Sequence, residues 1–225
     1  MQMATQTDPS PEPRIPLSKE RVLRTAINLA DEGGIDSLTM RKLAQELGVE
    51  AMSLYHYVAK KDDILDGIVE IVFKEIDVPS KEAEWKTAIR QSAISAHEVL
   101  LRHPWACSLI LGPAMVGPAR MRYMDSLLAA LREAGFSAEM THHAYHALDS
   151  HIMGFTLWEV NFPVAAEDLP GVAATFLREL PAAEYPYLAE HVEQHLMESS
   201  HAEEGEFEFG LDLILDGLER ILDAS

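Results

Sequence analysis

The stretch SLTMRKLAQELGVEAMSLYHYVAKKDDIL, Ser37 to Leu65, decides how the rest of the chain is read. Thr39 stands where a side-chain oxygen caps a helix, and Leu43, Ala44 and Leu47 then recur on one helical face until Gly48 stops the run. Only Gly48, Val49 and Glu50 separate this short helix, Met40 to Leu47, from a second, about Ala51 to Val58. Two short helices joined by so tight a turn have the shape of a helix-turn-helix, whose second helix fits a major groove about 12 Å wide. With Leu54 and Val58 turned to a core, Ala51, Met52, Ser53, Tyr55, His56 and Tyr57 are left facing outward, and Lys60 and Lys61 follow where a phosphate backbone would run. Spacing alone fits a second reading equally, a packed helical hairpin with a polar outside.

Upstream, Ser18 caps a helix in which Val22, Leu23, Ala26, Ile27 and Ala30 recur at helical spacing, and Gly33-Gly34 ends it. Before it, residues 1–16 hold four Pro among Gln, Thr, Ser and Asp without apolar periodicity, which predicts a disordered tail. Downstream, Asp62 and Asp63 open a helix that runs to Ile76 and connects residues 17–61 to the rest. Past residue 79 the periodicity predicts helices over Glu82 to His103, Pro104 to Gly112, Pro118 to Ala134, Ala138 to Asn161, Val172 to Leu180, Tyr187 to Ser199 and Phe209 to Leu222. No alternating Val/Ile/Thr run bounded by hairpin turns occurs, so the fold class is all-α. The organisation is a three-helix helix-turn-helix domain at 17–61, a connecting helix at 62–79 and a larger helical domain at 80–225.

Composition narrows the function classes. The longest charge-free apolar stretch, Pro104 to Ala119, is broken by Pro and Gly and is shorter than the roughly 18–20 residues a membrane span needs. The lone Cys107 allows no internal disulfide and no basic-then-apolar leader opens the chain, so a cytoplasmic protein without membrane association is expected. No nucleophile elbow, phosphate loop, paired carboxylates or zinc-protease motif is found, which argues against an enzyme and calls for no cofactor. The 225 residues carry a formal charge of −19, at first sight hostile to nucleic acid. From Arg14 to Lys61, however, eight basic residues face six acidic ones, a balance of +2, whereas from Ile76 onward nine basic residues face 24 acidic ones. The negative charge belongs to the larger domain.

From Arg21 to Ile76 the chain resembles the tetracycline-repressor family of bacterial regulators. It carries that family's L-T-x-R-x-L-A-x-x-L-G-V and L-Y-x-x-V-x-x-K patterns as Leu38, Thr39, Arg41, Leu43, Ala44, Leu47, Gly48, Val49, Leu54, Tyr55, Val58 and Lys61. The resemblance implies a double-stranded operator as partner. Thr39, Tyr55 and Lys61 would then bind phosphate, Arg41 would reach a guanine edge, and Ala51, Met52, Ser53 and His56 would lie against bases. His56 departs from tetracycline-responsive members, which carry Trp at that place, so the operator sequence does not transfer.

A weaker resemblance continues after Lys74 and implies a domain that binds a small-molecule effector and dimerises through two helices per subunit. For dimerisation the sequence offers Ala144, Ala147, Ser150 or His151, Gly154 and Trp158 on the long helix, and Leu211, Ile214, Leu215, Leu218, Ile221 and Leu222 on the last one. The dimer contacts expected first are Ala147, Gly154, Trp158, Leu211, Leu215 and Leu218, although both stripes also fit an internal core. For the effector, His142, His146, Asp149, Met153 and Thr156 share a face of the long helix. His97, Trp105, Met115, Tyr123 and Met124 are further candidates, leaving a pocket of His97, Trp105, Met115, Tyr123, His146, Asp149 and Met153.

His142, His143 and His146, with Asp149, also admit a metal reading, either a metal sensor or a metal-dependent hydrolase, though no second cluster completes a tetrahedral site. Tetracycline-responsive members place a His before a Leu-Gly pair to complete a magnesium site with the drug; here Ile110 precedes Leu111-Gly112. An apolar effector without metal is therefore expected.

Overall fold

Local capping sets where the N-terminal helices start and stop. In the computed structural model, which describes residues 16–110, 117–162, 164–165, 167–197 and 205–224, helix α1 spans Lys19–Gly33 and the Ser18 hydroxyl accepts the Arg21 N–H at 3.2 Å. The expected tail lies almost wholly outside the described residues. Helix α1 buries Val22, Leu23, Ala26, Ile27, Leu29 and Ala30, and a single 3₁₀ turn, Ile35–Ser37, leads to helix α2, Met40–Leu47. Thr39 caps α2 by accepting the Lys42 N–H at 3.1 Å. Gly48 ends it in the left-handed region, φ 68 and ψ 34, where its N–H and that of Val49 fold back on the Gln45 and Ala44 carbonyls at 3.1 and 3.0 Å.

The second helix of the pair is shorter than its periodicity predicts. Helix α3 spans only Ala51–Leu54, after which Tyr55, His56 and Tyr57 close i to i+3 bonds to Met52, Ser53 and Leu54 at 3.3, 3.4 and 2.9 Å. Only Leu54 and Val58 are buried in this segment, so one apolar stripe survives the tightening and three aromatic rings with modest helix preference stay exposed. Asp63 then accepts the Ala59 and Lys60 N–H groups at 2.9 and 3.1 Å and starts helix α4, Lys61–Glu75.

The chain forms two compact units, Met1–Ile68 and Val69–Ser225, whose boundary falls inside α4. The first is centred on Val22, Ala26, Leu38, Leu43, Leu54 and Ile64, each at most 1% exposed. At Gly67 a Cβ would meet Leu23 Cδ2 at 2.7 Å, so this glycine lets α4 approach α1 closely.

The second unit holds helices α5 (Trp85–Arg102), α6 (Trp105–Ile110), α7 (Pro118–Glu133), α8 (Ala138–Val160), α9 (Leu169–Glu179), α10 (Pro186–His191) and α11 (Glu206–Asp223). Helix α5 packs on α7, α8 and α11, and α8 on α7 and α11, around Ile89, Ala93, Leu131, Leu148, Leu211 and Leu215. Covering a Leu side chain of this kind is worth about 1.5–3 kcal/mol. At the rim between α5 and α11, Lys86 meets Asp216 and Glu219 at 2.7 and 2.6 Å, and Arg90 grips Asp212 at 2.7 and 3.2 Å.

Two helix starts differ from the sequence reading for one reason: Pro170 and Pro186 sit in the first turns of α9 and α10, where the missing N–H costs nothing. Helix α10 passes into a π-helical turn, Val192–Leu196, instead of continuing as one α-helix, and the expected end at Ser199 lies outside the described residues. Helix α11 starts at Glu206 rather than Phe209, its first turn holding Glu206 and Glu208 at the positive end of the helix dipole. No strand occurs among the described residues, and no helix there is long and apolar enough to cross a membrane.

Candidate nucleic-acid interface and internal cavity

The two short helices leave an outward surface built from both. Met52 is 72% exposed and Tyr55 46%, while Arg41, His56 and Lys61 are exposed and Ala51 and Ser53 half-buried. An uncovered Met and two uncovered Tyr within six residues amount to apolar and aromatic surface that a folded monomer seldom leaves in water. Thr39 is exposed, and because its oxygen accepts the Lys42 N–H, its own proton is left to donate to a phosphate. The N–H groups of Met40 and Arg41 lie in the first turn, where an α-helix offers no internal acceptor. Lys60 is held by Asp62 at 3.2 Å, which raises its pKa. Lys61 and Arg41 make no ion pair among the described residues, which leaves their charges for an external anion.

The second unit encloses a cavity. It is small and partly open, with a volume of about 20 Å³. Its apolar walls include Phe73, Ile76, Leu100, Ile110, Met124 and Met153; its polar ones are Arg120, Tyr123, Tyr145 and Asp149. Of the seven pocket residues expected from sequence, the cavity brings together Tyr123, Asp149 and Met153. Met115 lies outside the described residues. His146 is exposed on the outer side of α8.

His97 and Trp105 are buried but line other junctions. His97 sits between α5, α8 and α11, its Nδ1 2.8 Å from Thr156 Oγ1, its Nε2 3.2 Å from Glu159 Oε2 and its ring stacked on Phe207 at 4.0 Å. Trp105 packs 6.0 Å from the His103 ring. Sequence reasoning missed Arg120 and Tyr145, which stand at i−3 from Tyr123 and i−4 from Asp149 and so share their helix faces. A larger groove of about 570 Å³ lies beside Val78, Trp85 and Glu133 and opens more widely to solvent.

Electrostatics distinguishes the cavity's polar wall. Burial raises the pKa of the Asp149 carboxyl above its ordinary value, with the Arg120 and His146 charges opposing. Burial also pushes the phenols of Tyr123 and Tyr145 upward, the Asp149 charge adding to both, so each is a neutral hydroxyl.

The histidines of α8 do not form the ligand set that the metal reading requires. His142 stands 5.5 Å from His143 and 4.5 Å from His146, ring to ring, but all three are exposed whereas Asp149 lines the cavity. Among the described residues no group of three His, Cys, Asp or Glu side chains is placed to hold a metal ion.

The residues expected from sequence to dimerise divide between exposed and buried positions. Ala147, Gly154 and Trp158 are exposed on α8, Trp158 by 49%, whereas Ala144 of the same stripe is buried. Leu211, Leu215 and Leu218 are 0%, 0% and 6% exposed, because α11 turns this face onto α5 and α8 of its own chain. The outward apolar residues of α11 are instead Phe209, Leu213 and Ile221.

Comparison with known proteins covers both units. Residues 22–68 match bacterial regulatory proteins of the tetR family, and residues 78–222 match the tetracyclin repressor-like C-terminal domain. The HTH-type transcriptional repressor DrrR1 of Streptomyces coeruleorubidus is 30% identical over 94% of this chain and 80% of its own length. The class D tetracycline repressor protein of Escherichia coli is 32% identical over 90% of this chain and 89% of its own. Among solved structures, the Streptomyces coelicolor TetR family protein ActR in complex with actinorhodin superposes with a TM-score of 0.72 at 27% identity, covering 92% of this chain and 99% of that one.

Proposed function

The chain belongs to the tetR family of bacterial regulatory proteins, and from that premise we propose a homodimeric, cytoplasmic repressor that holds a palindromic operator and is released by a small-molecule effector. It is a DNA-binding transcriptional regulator, not an enzyme. The single observation that carries the reading is the match of both units, one after the other, to the reading and sensing parts of such regulators.

In this reading Thr39, Tyr55 and Lys61 fix the protein on phosphates, Arg41 reads a guanine, and Ala51, Met52, Ser53 and His56 lie against base edges. Two copies place their reading units on half-sites about one helical turn, roughly 34 Å, apart or a little more. The exposed α8 stripe of Ala147, Gly154 and Trp158 supports a close helix crossing, because nothing lies within 4 Å of a Cβ built on Gly154. Beside it, the outward Phe209 and Leu213 of α11 take the place given from sequence to Leu211, Leu215 and Leu218. Substituting Trp158→Asp should convert dimer to monomer in analytical ultracentrifugation, and an unchanged sedimentation coefficient argues against this face.

The effector site is the internal cavity. Phe73 of α4 is one of its walls, and α4 continues into the helix-turn-helix unit, so an occupant that shifts α4 shifts the reading heads. Such a ligand acts only through its difference in affinity between the DNA-fitting and non-fitting states. The complex of ActR with actinorhodin supports a small-molecule effector for a related chain.

Selection from a random DNA pool with the full chain tests the proposal, and an inverted repeat is the expected product. Lys61→Ala should weaken binding to every DNA and lower the salt slope by about one unit, whereas Arg41→Ala should cost about 1–3 kcal/mol at a single base position. Unchanged binding by both variants refutes the interface.

A further inference from the structure

Two groups of the cavity's polar wall have no protein hydrogen-bond partner among the described residues. Among the described residues no Lys, Arg or His nitrogen comes within 4.0 Å of the Asp149 carboxylate, and it makes no hydrogen bond there. The cation whose charge acts on it most, Arg120, is already engaged: its guanidinium lies over the Phe73 ring, 5.8 Å from the centroid. Tyr123 is 5% exposed, rests its ring on Phe73 at 5.8 Å, and its hydroxyl likewise has no hydrogen-bond partner among the described residues. Around these two groups the wall is hydrocarbon and aromatic ring, with Met124 and Met153 able to change rotamer and open the space.

We propose that the cavity binds a lipophilic molecule bearing an ammonium group, seated against Asp149 with the Tyr123 hydroxyl as its second polar contact, so that the effector is an apolar amine. The inference rests on the cavity being the effector site. A cation replaces the hydration that the half-buried carboxylate has lost, and its hydrogen bond is about twice as strong as a neutral one. Phe73, Tyr123 and Tyr145 add ring faces that attract a cation. An anionic ligand meets the Asp149 charge in a poorly screened space. A neutral alcohol gains one ordinary hydrogen bond and nothing from the charge.

The pH response follows from the groups around Asp149: Arg120 and Tyr123 from α7 and Tyr145 from α8 line the cavity with it, and His146 acts on it only through its charge from the outer side of α8. Burial raises its pKa despite the opposing cations, so on acidification the carboxylate is neutralised at a higher pH than an ordinary Asp. Amine affinity should fall over that range.

Titration calorimetry of the full chain at neutral pH with three matched probes, 1-naphthylmethylamine, 1-naphthalenemethanol and 1-naphthoic acid, tests this. The amine should bind about tenfold more tightly than the alcohol, with the acid weakest. Asp149→Asn should abolish the preference for the amine over the alcohol, and Tyr123→Phe should weaken the amine and the alcohol alike. The wild-type amine affinity should fall with pH while the alcohol's does not, a measurement that needs no variant to fold. Equal binding of the probes, a preference that survives in Asp149→Asn, or no binding of any probe overturns the proposal. Operator selection is read separately, so intact DNA binding without amine preference sinks only this inference, and failure to select DNA sinks the functional reading instead.

Discussion

Glu70 offers a quantitative test of how the second unit is held together. From α4 its two carboxylate oxygens each lie 2.9 Å from the backbone N–H of Ala119, at the start of α7. The preceding cap residue, Gly117, supplies no side chain, Pro118 supplies no N–H, and the first turn of α7 contains no acidic residue. Glu70 is thus the cap that α7 lacks locally. Its side chain is 19% exposed and Ala119 3%, so water cannot readily take over the bond. A hydrogen bond to a charged acceptor is worth about 1.5–3 kcal/mol, and the partly screened ion pair with Lys74 at 3.8 Å adds little.

Glu70→Ala should therefore cost about 2 kcal/mol, and Glu70→Gln, which keeps an acceptor and loses the charge, about 1 kcal/mol. At about 3 °C per kcal/mol for a unit of this size, the melting temperatures fall by about 6 and 3 °C. The assay is urea and thermal unfolding followed by far-UV circular dichroism at one protein concentration, since a dimer's midpoint depends on it. The same contact can be broken from the other side: a Cβ on Gly117 would clash with Glu70 Oε2, so Gly117→Ala displaces the carboxylate. The two losses should not add, and Gly117→Ala should be nearly silent in the Glu70→Ala background. Additive losses, or a Glu70→Ala midpoint equal to wild type, would refute the capping account.

Two further outcomes are expected. Gly48→Ala places a Cβ in open space but at φ 68, so its cost of about 1 kcal/mol is conformational; Gly48→Asn should recover part of it in urea titrations, and a stabilised alanine variant would contradict the assignment. Cys107 is 0% exposed and burial pushes its thiol pKa up, so iodoacetamide should label it only as the second unit unfolds, with rapid labelling of the native chain as the contrary result.

How much was legible in sequence depended on whether the deciding interaction was local. Ser18, Thr39 and Gly48 act within four residues of themselves, and the helix boundaries they set could be read directly. At α3 the same rule gave the correct buried pair, Leu54 and Val58, and an overlong helix, because period alone does not tell an α-turn from the tighter turn that follows it. The outward set from Thr39 to Lys61 needed no tertiary information, since a short helix with one apolar stripe has only one other side.

For α8 and α11 the sequence could define faces without assigning their partners. Leu211, Leu215 and Leu218 form a stripe that hydrophobic burial requires to be covered, and a second copy and the chain's own α5 and α8 satisfy that requirement equally at the level of pattern. Helix α8 is apolar enough on several sides that its periodicity does not fix which of His146 and Asp149 turns inward. The packing of α7 against it does, sending Asp149 to the cavity beside Tyr123 and His146 to the surface. Sequence by itself thus determined most of the helices, their caps and the outward side of the helix-turn-helix, all products of short-range periodicity and hydrogen bonding. Tertiary structure alone decided which apolar face became core and which half-buried carboxylate lines the cavity, because hydrophobic burial has no directionality and contacts between distant helices are set only when the whole unit packs.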